Sequence, residues 1–123
     1  MIVRWLVVVL VILNGGWMAF DGTRALMVGD YVTPASGPYA GQLGPWAAVV
    51  SAAGLAPRGT LVKWIFVGYG LAALAAATAF AFRRAGGRSA LLVLVPLGLW
   101  YLPFGTAINL VVLPLLFLRS LRT

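Results

Sequence analysis

The chain is 123 residues long, 63% hydrophobic and only 9% charged, with a formal net charge of +7; a single domain this apolar must turn its surface toward lipid or other buried helices. It has no cysteine, no histidine and no glutamate, which excludes disulfides, ordinary zinc, haem or iron–sulfur ligation, and Ser-His-Asp or Cys-His catalysis. Eight arginines and one lysine stand at predicted helix ends and short turns, with no patch interleaved with exposed aromatics. That pattern argues against nucleic acid and for a chain oriented in a bilayer.

The first predicted span covers residues 2–20. Arg4 and an apolar centre invite a signal-peptide reading, but Trp17 would stand third from a cut after Ala19, so an uncleaved span is expected. Gly15 and Ala19 are four apart and let another helix approach closely. Asn14 is the polar step within the span.

Residues 21–58 read as the one substantial extramembrane segment. Its glycines and prolines mark successive turns. Tyr31, Tyr39, Leu43 and Trp46 give it apolar anchors that a solvated linker lacks. A short interfacial helix is expected from Pro45 to Ala53, ended by Gly54. Asp21 and Arg24 are spaced to pair across a helical turn.

A second span is predicted over residues 60–82, with Lys63 and Trp64 at the interface. Gly68, Ala72 and Ala76 form one small-residue ridge, and Ala73, Ala77 and Ala81 another; both imply close helix contact. Arg83, Arg84 and Arg88 make the next turn cytoplasmic by the positive-inside rule.

The uncharged run from Ala90 to Leu118 could cross as one tilted helix or as two short legs. Pro103-Phe104-Gly105-Thr106 has reversal chemistry, with Thr106 placed to cap the next helix. A reversal also returns Arg119 and Arg122 to the arginine-rich side. Two legs, residues 89–103 and 105–119, are therefore preferred. The expected fold is an all-α integral membrane protein of four spans, with both termini cytoplasmic and an ordered outer segment.

Leu102-Pro103-Phe104-Gly105-Thr106, followed by an apolar stretch to Leu113, resembles the last hairpin of small uncharacterised four-helix bacterial inner-membrane proteins. The resemblance implies a fold and an inner-membrane location but no activity.

Polar residues within spans need partners. Asn14 and Asn109 are expected at similar depth, at least one of them bonding across helices, with the other asparagine as one candidate partner. The packing set is then Asn14, Gly15, Ala19, Gly68, Ala72, Ala76 and Asn109, and Tyr31, Tyr39, Trp46 and Trp100 are candidates for partner contact. With no convincing acid, base or nucleophile, the chain is read as a non-enzyme without cofactor or metal. Its expected role is a membrane subunit that packs against and stabilises a larger complex of other integral membrane subunits. The rival is a small homo-oligomeric transporter or channel, its path lined by Asn14, Thr78 and Asn109.

Overall fold

The computed structural model describes residues 2–31, 33, 41–101 and 104–118. Among these it is all-helical: α1 (Ile2–Val28), α2 (Trp46–Ala52), α3 (Thr60–Ala81), α4 (Gly87–Leu97) and α5 (Phe104–Leu115). At 1.5 Å per residue, α1 and α3 are about 40 and 33 Å long. Both are long and apolar enough to cross a bilayer. α4 and α5 measure about 16 and 18 Å, well short of a full crossing.

α1 outruns its expected end at Phe20 by two turns, so Asp21 and Arg24 belong to the helix and the outer segment begins at Gly29. Gly22 does not stop the helix because it is a packing position. A Cβ there would come within 2.6 Å of Phe66 Cβ and 2.9 Å of the Lys63 carbonyl oxygen. The break waits for Gly29, whose φ of 106° suits a residue without a side chain. The short helix and the second long helix fall within a residue or two of their expected bounds, with Pro45 at the N-cap of α2.

The chain doubles back after α4. Arg88 Nε donates to the Leu116 carbonyl at 2.9 Å, tying the start of α4 to the end of α5. The helices are nevertheless shorter than the expected legs: α4 stops at Leu97, and α5 ends just past Pro114. Leu102, Pro103, Arg119 and Arg122 lie outside the described residues. At the tip, Tyr101 N–H donates to the Gly98 carbonyl, Thr106 N–H to the Tyr101 carbonyl, and the Thr106 hydroxyl to the Leu99 carbonyl. Thr106 therefore closes the end of α4, not the start of α5. Gly105 permits the turn, since a Cβ there would lie 2.6 Å from Tyr101 Cβ.

Cations finish three helices whose last carbonyls lack intrahelical donors. Lys63 Nζ meets the Gly29 carbonyl beyond α1, Arg4 Nη1 the Phe80 carbonyl of α3, and Arg88 the Leu116 carbonyl beyond α5. The α3–α4 turn is tight. Arg84 N–H reaches the Ala79 carbonyl, and Gly87 packs where a Cβ would lie 2.7 Å from Phe80 N.

The core has two parts. Val7, Val8, Val11, Ala77, Phe80, Leu91, Val95, Val112 and Leu116 fill the end shared by the α1 N-terminus and the α3–α4 turn. Met18, Ala25, Tyr31, Trp46, Val62, Phe66 and Tyr101 fill the other.

Candidate functional site

The buried face of α1 runs Arg4, Val7, Val8, Val11, Asn14, Gly15, Met18, Asp21, Gly22 and Ala25, a repeat of three and four residues. Every polar group on that face points inward: Arg4 is 2% exposed, Asn14 5% and Asp21 4%. On α5, Asn109 is 2% exposed. The outer faces carry Trp5, Leu6, Val9, Ile12, Leu13, Trp17 and Phe20 on α1, and Leu61, Trp64, Ile65 and Leu71 on α3. The two long helices thus expose large apolar side chains, over a core that is apolar apart from Arg4, Asn14, Asp21 and Asn109.

α1 and α3 meet along glycines. A Cβ on Gly70 would lie 2.5 Å from both the Gly15 carbonyl oxygen and Ala19 N, and one on Gly15 would lie 2.8 Å from Ala73 Cβ. Gly15 and Ala19 of the expected packing set therefore lie at this seam, and Ala76 is buried. Gly68 and Ala72 do not join it. Both are exposed, and a Cβ on Gly68 would meet nothing within 4 Å. The reason is rotational: α1 settles on the ridge through Gly70, Ala73 and Ala77, more than a third of a turn from the one that begins at Gly68. Gly68, Ala72 and Ala75 are left as an uncovered stripe with i, i+4, i+7 spacing. Gly22 and Gly70 are the packing residues that sequence reasoning missed; the heptad of polar and small residues from Arg4 to Ala25 was the signal.

Asn14 and Asn109 are both buried, but among the described residues no hydrogen bond joins them. Ile108 faces α1, so its neighbour Asn109 turns toward α3 and α4. Its Nδ2 is sealed without a partner among the described residues. Gly98 makes room for it, since a Cβ there would stand 2.5 Å from Asn109 Nδ2 and would also strike the Tyr69 hydroxyl. That hydroxyl donates to the Leu94 carbonyl at 2.5 Å. Thr78, another polar residue expected to line a path, is exposed on α3 and donates to the Leu74 carbonyl.

Arg4, the single charge at the start of the first span, is buried. Its guanidinium lies 4.4 Å from the centre of the Phe80 ring and donates to the Phe80 carbonyl at 2.7 Å, while Nε and Nη2 find no partner among the described residues. Cation–π contact and a charge-assisted bond to a helix C-terminus compensate part of its desolvation.

Tyr31 and Trp46, expected at a partner surface, are instead core residues at 2% and 5% exposure. They pack with Phe66, Trp100 and Tyr101 in one aromatic cluster. Trp46 lies 4.7 Å from Phe66 and 5.2 Å from Tyr31, and Tyr101 lies 5.3 Å from Phe66, between ring centres. Five rings of this size bury more apolar area than an exposed loop could forgo, and the pairs prefer tilted or edge-on geometry. The cluster places α2 and Tyr31 over the hairpin tip. Trp100 keeps partial exposure, and Tyr39 lies outside the described residues.

The outer segment is held by Asp30. Its carboxylate accepts from Arg58 Nε at 3.0 Å and from the Tyr31 N–H at 2.9 Å, and Arg24 donates to its main-chain carbonyl. Arg24 is thus engaged at Asp30; the ion pair seen among the described residues is Arg58–Asp30. Burial pushes the Asp30 carboxyl up, but the Arg58 and Tyr31 hydrogen bonds and the Arg58 and Lys63 charges outweigh it and hold it below its ordinary value. Burial, with the Asp21 and Asp30 charges, raises the Tyr31 phenol, whose hydroxyl donates to the Pro57 carbonyl.

A carboxyl lowered on folding contributes stability above its unfolded pKa and loses it as pH falls through the folded value. Acidifying below about pH 4 is expected to loosen the Gly29–Tyr31 corner, and Asp30→Asn to remove that pH dependence. The loss should stay within about 1 kcal/mol because both partners are nearly half exposed. Melting curves of both proteins between pH 3 and 7 check it.

Among the described residues, no group of His, Cys, Asp or Glu could hold a metal ion. Comparisons with protein-family models, with curated proteins and with solved structures find no match for this chain.

Proposed function

We propose that the chain is a non-catalytic integral membrane subunit of the bacterial inner membrane, which packs laterally against a larger membrane complex. The observation that carries the reading is the exposed apolar face of α1. Arg4, Asn14 and Asp21 turn inward while Trp5, Leu6, Ile12, Leu13, Trp17 and Phe20 turn outward, the arrangement favoured when the solvent is hydrocarbon. In this reading α1 and α3 cross the bilayer, and α4 and α5 form a short re-entering pair whose tip is sealed by the aromatic cluster. The arginine-rich end, with both termini, is cytoplasmic.

The uncovered stripe of Gly68, Ala72 and Ala75 supports a lateral partner, because small residues let a helix approach where no hydrophobic driving force acts between helices. Mild extraction followed by particle sizing tests it. A heteromeric particle is expected, and Gly68→Leu together with Ala72→Leu should release the chain from it without unfolding the chain. A 13.0 kDa protein that runs alone, or only with copies of itself, contradicts the reading.

A further inference from the structure

Between α1 and the α5 side of the hairpin lies a recess of about 340 Å³, lined by Leu13, Asn14, Trp17, Tyr101 and Ile108. Its size falls at the lower end of the roughly 300–1,000 Å³ typical of small-molecule sites. Its walls are apolar except for Asn14, the Trp17 indole N–H and the Tyr101 hydroxyl, the last two engaged with each other. Asn14 is 5% exposed, and no hydrogen bond reaches its amide among the described residues. Unlike Asn109 Nδ2, that amide is not sealed in the interior. A nearly buried amide opening on an apolar recess, flanked by two aromatic rings, is the composition of a ligand site: apolar surface for the body and one polar group to fix its orientation.

We propose that this recess binds the uncharged, carbonyl-bearing portion of one amphiphile. Its carbonyl oxygen accepts from Asn14 Nδ2, and its apolar body lies against Leu13, Trp17 and Ile108. Neither a cation nor a carboxylate lines the recess, so a charged headgroup would stay outside it. The recess opens on the side of α1 where Leu13 and Trp17 are exposed, so in the proposed placement its apolar walls are reached from the bilayer. Two membrane compounds share the required chemistry, an ester-linked phospholipid and a prenyl-type quinone. The site needs the bilayer placement proposed above but no lateral partner.

The test uses the full chain reconstituted in ether-linked phosphatidylcholine, which lacks ester carbonyls, with either ester-linked dioleoylphosphatidylcholine or decylubiquinone added. Native mass spectrometry of the released protein reads retained adducts. A saturable one-to-one adduct with one of the two probes is expected, and the probe retained identifies the source. Ile108→Trp, which fills the recess, should weaken it at least tenfold. Asn14→Leu, which keeps the volume and removes the amide, should weaken it roughly three- to tenfold. Should Ile108→Trp lose its helical circular dichroism, Leu13→Trp fills the recess from the α1 side. The site is overturned if neither probe gives a saturable adduct, if the adduct survives filling of the recess, or if the ether lipid is retained as tightly as the probes. A chain running alone in detergent contradicts the lateral partner and leaves this site standing, whereas an adduct insensitive to these variants overturns the site alone.

Discussion

Gly70→Leu is expected to unfold the bundle in mild detergent, whereas Gly68→Leu, half a turn away on the same helix, leaves the melting temperature unchanged or slightly raised. At Gly70 the obstacle is backbone: the Gly15 carbonyl oxygen and Ala19 N would each lie 2.5 Å from the first added carbon, and Ala19 Cβ would lie 2.8 Å away. Flexible side chains can step aside, but two helix backbones can separate only by surrendering the contacts along the whole seam. Overpacking typically costs about 1–3 kcal/mol where a core can adjust; separating α1 from α3 should exceed that range. At Gly68 a side chain meets open space. There, helix propensity alone favours leucine over glycine by about 0.5–1 kcal/mol. Thermal unfolding followed by circular dichroism compares the two. Equal melting temperatures would mean that α1 and α3 do not touch along this ridge.

Trp46→Ala is the second large effect. The indole is nearly sealed and touches rings from the outer corner, from α3 and from the hairpin tip, with Tyr31 at 5.2 Å, Phe66 at 4.7 Å, Trp100 at 6.3 Å and Tyr101 at 6.2 Å between ring centres. Truncating a buried tryptophan costs about 3–5 kcal/mol, through lost transfer energy and the cavity left behind. The loss should be local. α2 is only seven residues long and is held down mainly by this side chain and Val50. A helix that short does not persist without tertiary contacts. The near-ultraviolet aromatic dichroism should fall, and proteolysis should open the connection between Ala53 and Gly59 while α1 and α3 remain intact. The control is Val49→Ala on the exposed side of α2, which should change neither.

Much of the architecture was legible because it follows from short-range rules. The bounds of α2 and α3, and the turn beyond α3, follow from Pro45, Gly54, Thr60 and the arginine–glycine run at 83–88. The reversal after α4 was legible from turn chemistry at Gly105 and Thr106. What escaped was rotational. Four-residue spacing marks a ridge as packable but does not say which of two adjacent ridges a neighbour will choose. Gly68 and Ala72 were therefore assigned to a seam that Gly70, Ala73 and Ala77 form. The first span is expected to end at Phe20, yet α1 runs on to Val28. The positions of Asp21 and Gly22 in the heptad with Arg4, Val11 and Met18 mark them as inward-facing residues of a continuing helix. Tyr31 and Trp46 were assigned outward for a related reason. Aromatics in a loop signal anchoring, but sequence alone does not distinguish anchoring to a partner from anchoring to the chain's own hairpin. The recess at Asn14 was not legible at all, since it depends on Ile108 and Asn109 dividing the two faces of α5 between them.

The central claim is that the chain doubles back within a bilayer, its arginine-rich end on one side and its outer segment on the other. Because the protein has no cysteine, Gln42→Cys, Ser89→Cys and Leu118→Cys can be introduced one at a time at exposed positions and challenged with a membrane-impermeant maleimide in sealed right-side-out vesicles. The account predicts that the Gln42 position is labelled at once and that the Ser89 and Leu118 positions are labelled only after the vesicles are inverted. Labelling of the Leu118 position from the same side as that of Gln42 would contradict it.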